Sequence, residues 1–61
     1  MNIIIMGEES QEICNAFLSK GHNAFSCDLQ ECSGGRPDRH IRGDMWEAFE
    51  RGVPGTGDMW D

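Results

Sequence analysis

The chain contains no tyrosine, only two prolines and only five lysine plus arginine residues among its 61. So few cations argue against nonspecific binding to DNA or RNA, which needs clustered positive charge to hold phosphates. The longest apolar run, Ile3–Met6, falls far short of the roughly 18 residues that span a bilayer. It also lacks the cationic flank and length of a secretory signal. The three cysteines are an odd set with no CxxC spacing, and the two histidines are far apart. That pattern excludes a simple disulfide framework and argues against a zinc site, whose ligands come in pairs so that one turn supplies two. The chain therefore reads as a cytoplasmic protein with free thiols.

What is present is one small acidic domain. A chain of this length buries only about 60% of the surface its unfolded form exposes, so additional contacts with a partner are expected. The net charge of -6 is uneven: residues 1–19 carry -3, residues 20–42 carry +1 and residues 43–61 carry -4. Such acidity is compatible with docking on a basic protein surface.

Periodicity predicts an α/β fold. "NIIIMG" is a β-branched run bounded by glycine and reads as a buried strand. From Ser10 to Lys20 the period changes: Ile13 with Phe17 and Cys14 with Leu18 form i,i+4 pairs, while Gln11, Glu12, Asn15 and Ser19 point elsewhere. Ser10 or a preceding glutamate can cap this helix, and Lys20-Gly21 stops it. "NAFSCD" is a second strand, parallel to the first by the length of the connection. Residues 29–43 read as a loop, with His40–Arg42 a third, very short strand. In "GDMWEAFERG", Asp44 is an N-cap, Glu47 completes a capping box, and Trp46 and Phe49 form an i,i+3 pair. The expected architecture is a truncated Rossmann-like βαβ unit with a short third strand and second helix over 1–52, and an irregular tail over 53–61. An open sheet edge and the apolar Trp46, Met59 and Trp60 are the expected contacts with a second copy or another protein.

The densest chemistry lies in "CDLQECSGGRPDRHIRGD", residues 27–44. Cys27, Cys32 and His40, with Cys14 or His22, form an unpaired metal-ligand set, and small apolar roles for the cysteines fit better. Cys32 with His22 or His40 is a nucleophile and base without supporting spacing. Arg36, Arg39 and Arg42 form a basic patch, which Asp28, Glu31 and Asp38 can balance. A nucleotide-type site has firmer physical footing. In an open parallel sheet, ligands bind beyond the carboxyl ends of the strands, where Gly7–Ser10, Asp28 and Asp44 fall. An acidic residue after the second strand can accept hydrogen bonds from ribose hydroxyls. "MGEES" is not GxGxxG and its glutamates would repel phosphate, so a ligand without phosphate fits better.

"MGEES" after the first strand, then "QEICNAFLSKGHNAFSCDL" and "HIRGD", resemble the N-terminal part of phage-encoded class I methyltransferase-like proteins related to DNA cytosine methyltransferases. The likeness covers residues 1 to about 50 and is most specific in "GHNAFSCDL" and "HIRGD". It implies a Rossmann-like fold binding S-adenosylmethionine, with Gly7, Glu8, Glu9 and Ser10 at the methionine end, Asp28 on the ribose and Asp44 near the adenine. The family's Pro-Pro-Cys type catalytic strand has no counterpart here, so the expectation is a truncated, non-catalytic relative. The alternative is a small acidic phage protein that binds and inhibits a host defence protein, working in the host cytoplasm.

Overall fold

A computed structural model describes all residues, Met1–Asp61. Three parallel strands form one open sheet in the order β1-β2-β3, with β1 at Asn2–Met6, β2 at Asn23–Asp28 and β3 at His40–Arg42. Helix α1, Glu12–Ser19, connects β1 to β2, and α2, Met45–Arg51, follows β3. A single 3-10 turn, Pro37–Arg39, leads into β3 within the predicted loop. The predicted α/β class, the parallel pairing of the first two strands and the short third strand are all present.

β2 is the centre of the structure. Ala24, Phe25, Ser26 and Cys27 are buried in succession, as expected of a strand covered on both faces. On one face Cys14 of α1 packs inward, and Gln11 donates to Ser26 Oγ at 3.0 Å. On the other lie Phe25, Ala48 of α2, Val53 and the ring of Trp60.

The tail is irregular but docked. Trp60 meets Phe25 edge-on, with ring centroids 5.8 Å apart, and its Nε1–H donates to Ala48 O at 3.1 Å. The expectation that Trp60 awaits another molecule is thereby corrected: it covers the chain's own central strand. Trp46 and Met59 do remain exposed.

Two local readings also change. Gln11, expected to point away from the apolar side of the helix, is fully buried and adopts a left-handed φ of 59°. Ile13, expected on the core face with Cys14, is 54% exposed. α1 begins at Glu12, so Gln11 belongs to the turn before it and tucks under the loop, while Ile13 lies a residue away from the inward-facing Cys14 and so on the helix flank. In α2, Asp44 Oδ1 accepts from Trp46 N and Glu47 N, as a cap should. Glu47 does not complete the reciprocal box; its carboxylate lies 3.8 Å from Arg51 one turn later. Trp46 and Phe49 are neighbours with centroids 6.4 Å apart, yet both are solvent-exposed.

Candidate ligand cleft at the carboxyl ends of the strands

Parallel strands all finish at one end of the sheet, so the residues after β1, β2 and β3 converge there regardless of their separation in sequence. Gly7, Asp28 and Asp44 do converge: with Leu29 and Met45 they line a cleft of about 170 Å3. Gly7 has a φ of 77° and turns the chain inward, its N–H donating to Cys27 O at 2.6 Å. Asp44 also borders a larger cleft of about 460 Å3, floored by Ile41, Ala48 and Val53 and rimmed by Arg42, Glu47 and Arg51. The two clefts meet at that aspartate.

The aspartates are held alike. Asp28 Oδ1 accepts from Gln30 N at 2.9 Å, which makes a local turn after β2. Asp44 Oδ1 accepts from Trp46 N at 2.8 Å and Glu47 N at 3.1 Å, satisfying the free donors at the start of α2. In each case one carboxylate oxygen orients the side chain while the other has no hydrogen-bond partner in the protein. A fixed carboxylate with a free oxygen can accept a hydroxyl or amine proton from a ligand. Cys27 lies beneath them with Sγ 3.7 Å from Gly43 O. Burial, and then the charges of Asp28 and Asp44, push its thiol pKa up. Both causes disfavour the thiolate.

Glu8, Glu9 and Ser10 do not line this cleft. Glu8 turns inward and accepts from Ile13 N at 2.6 Å and Cys14 N at 2.9 Å, so the first turn of α1 is capped by the chain's own carboxylate. An incoming anion would find those donors taken. Glu9 accepts from the Ser33 hydroxyl, and its carbonyl accepts from Ser33 N at 2.8 Å. Ser10 lies under Gly34, where an added Cβ would collide with Ser10 O and Gln11 Cβ. Residues 33–36 thus form a strap over the start of α1.

Gln11 secures that strap, and no signal in the sequence marked it. Its Oε1 accepts from Arg36 N at 3.0 Å, and its Nε2 donates to Arg36 O at 2.7 Å and to Ser26 Oγ at 3.0 Å. Ser26 is in turn 2.7 Å from His40 Nδ1, and His40 Nε2 is 2.8 Å from Gln30 O. Since a carbonyl can only accept, Nε2 carries a proton and Nδ1 is free to accept from Ser26. His40 is therefore committed on both nitrogens.

The other candidates disperse. Cys14 and Cys27 are buried apart from Cys32, and nowhere do three His, Cys, Asp or Glu side chains converge on a metal position. Cys32 and His40 border one shallow cleft with Glu31 and Arg42, but both imidazole nitrogens are already engaged. Of the arginines, Arg36 pairs with Asp38 at 2.9 Å and Arg42 with Glu31 at 3.4 Å. Arg39 instead lies 4.8 Å above the Phe25 ring and donates to Asn23 Oδ1. Arg36 and Arg42 are thus each paired with a carboxylate, while Arg39 is held by an aromatic ring and an amide oxygen. No helix is long and apolar enough to cross a membrane.

No family model matches the chain, and no curated protein or solved structure does either.

Proposed function

We propose that the chain binds a nucleoside-type ligand without phosphates, of the S-adenosylmethionine class, and does so without catalysing methyl transfer. One observation carries the reading: Gly7, Asp28 and Asp44, from the ends of three different parallel strands, border one cleft, with a free oxygen on each aspartate. At about 170 Å3 that cleft is smaller than the roughly 300–1,000 Å3 of ordinary ligand sites. It suits a ribose, with a base lying past Asp44 on the apolar floor of Ile41, Ala48 and Val53. The resemblance of "GHNAFSCDL" and "HIRGD" to methyltransferase-like proteins supports the same assignment. Glu8 on the helix start supports a ligand lacking phosphate, since a second anion there would be repelled. Absence of catalysis is proposed because the Pro-Pro-Cys type motif on which the resembled family's chemistry depends does not occur among these residues.

Isothermal titration with S-adenosylmethionine and with adenosine tests this. Saturable heat for both, lost in Asp28→Asn and Asp44→Asn with the fold intact by circular dichroism, is expected. No heat at millimolar ligand refutes the reading.

A second reading rests on α2, where exposed Met45, Trp46 and Phe49 sit among Glu47 and Glu50. Exposed aromatics ringed by carboxylates suit a basic protein partner, as an inhibitor of a host protein would require. Capture of such a partner should weaken with salt and fail for Trp46→Ala.

A further inference from the structure

β1 is an outer strand, and its register determines which of its peptide groups face outward. Asn23 N donates to Met1 O and Gly7 N to Cys27 O, so the odd-numbered residues turn their peptide groups toward β2. Asn2, Ile4 and Met6 turn theirs to the free side. Those of Asn2 are already used: its N–H donates to Asp61 Oδ2 at 2.6 Å, and its carbonyl accepts from Asp61 N at 2.8 Å. Ile4 and Met6 have no strand beyond them. Residues 2–7 carry no charge and no proline, so beyond Asn2, which Asp61 covers, the edge lacks the devices that usually keep an outer strand from pairing.

The helix above adds an apolar flank on the same side. Cys14 points into the sheet, and Asn15 donates to Gly34 O of the strap at 3.1 Å. Helical geometry then places Ile13 and Phe17 on the opposite flank, over the free side of β1. There they form a shallow groove with Ala16, bordered by Glu12 and Lys20. Gln11 bonds Ser26, which is level with Ile5 in the ladder, so the first turn of α1 stands at the height of Ile5.

We propose that the edge of β1 pairs antiparallel with β1 of a second copy, with Ile4 opposite Met6 of that copy and the two Ile13 side chains meeting at the two-fold axis. Antiparallel pairing of one edge with itself is two-fold symmetric, so it is self-complementary. Asp61 selects the register. Pairing Ile4 with Ile4 would set Met6 against Asn2, whose groups are occupied; pairing Ile4 with Met6 uses all the free groups of both copies. Gly7 of the second copy, bent toward its own β2, leaves room beside Asp61. The axis passes at Ile5, the height of Ile13. With strands about 4.8 Å apart, the two α1 helices stand about 10–14 Å apart, within reach of isoleucine and phenylalanine side chains. Any strand could satisfy the edge, but a second copy also brings a matching helix flank on the same face. Because each copy carries -6, association strengthens as salt rises.

Sedimentation equilibrium of the whole chain tests this separately from the ligand cleft, which shares only Gly7 with this edge and whose aspartates lie outside it. The wild type should sediment at twice the chain mass. Ile13→Glu, an exposed position, and a synthetic chain N-methylated at Ile4 should each weaken dimerisation at least about tenfold with unchanged circular dichroism. In a Cys32→Ser background, Ile13→Cys should cross-link to itself under oxidation while Ser19→Cys does not. A wild type that stays monomeric at high concentration overturns the proposal. So does a dimer indifferent to both edge changes, which would move the contact to Trp46 and Met59, and so does failure of Ile13→Cys to cross-link.

Discussion

Replacing Gln11 by alanine removes three hydrogen bonds that join the start of α1, the central strand and the strap. The two bonds to Arg36 are partly buried, and each contributes about 1 kcal/mol net; the bond to the fully buried Ser26 is worth about the same, and more if Ser26 is left short of a partner. The loss is then about 2–4 kcal/mol. A chain this short is expected to have about 3–9 kcal/mol of stability in total, so the variant should lose from about a fifth of it to all of it. Urea titration followed by circular dichroism should show the midpoint falling by roughly 2–4 M if the slope is about 1 kcal/mol per M. Gln11→Gly separates the side chain from the backbone, because glycine adopts the φ of 59° without strain. It should recover about 1 kcal/mol relative to alanine. Amide exchange at Arg36, whose N–H donates to Gln11, should accelerate in both variants. An alanine variant within about 0.5 kcal/mol of wild type, the range of ordinary surface changes, would refute the strap's dependence on Gln11. A glycine variant less stable than alanine would refute the strain.

Glu8→Ala uncaps α1 by removing both oxygens that accept from Ile13 and Cys14; thermal unfolding should show a loss of about 1–3 kcal/mol, and an unchanged midpoint would speak against the cap. The buried thiols make stability pH-dependent at the alkaline end. Burial is the largest cause raising the pKa of both Cys14 and Cys27, with Glu8 adding to the first and Asp28 and Asp44 to the second. The unfolded chain therefore releases these protons first. The contribution is fully present below about pH 8.5, the ordinary thiol value, and is lost as pH rises through the folded values. Urea midpoints should hold from pH 7 to about 8.5 and fall above it, less steeply in Cys27→Ala; a midpoint rising with pH would contradict the sign.

The elements were legible because they depend on neighbours in the chain. Three isoleucines followed by glycine make β1, "NAFSCD" matches β2 residue for residue, and Asp44 caps α2 through its own next turn. The convergence of Gly7, Asp28 and Asp44 was also legible, since parallel connection sends every strand's end to the same side. Glu8, Glu9 and Ser10 illustrate what was not: a glycine turn rich in carboxylates looks equally ready for ligand and for cap, and only folded contacts decide, with Glu8 taken by the first N–H groups of α1 and Glu9 and Ser10 by the strap at 33–36.

By itself, the sequence determined the α/β class, the parallel pairing of the first two strands and the end of the sheet at which a site could form, all consequences of local periodicity and connection length. Tertiary structure alone decided that Gln11 is interior and Ile13 exterior, that Trp60 covers Phe25, and that Asp61 closes part of the β1 edge. Each of these depends on residues far apart in the chain: Gln11 with Arg36, Trp60 with Phe25, Asp61 with Asn2. Such contacts leave no period in the sequence, because their partners are chosen by packing once the strands and helices have come together.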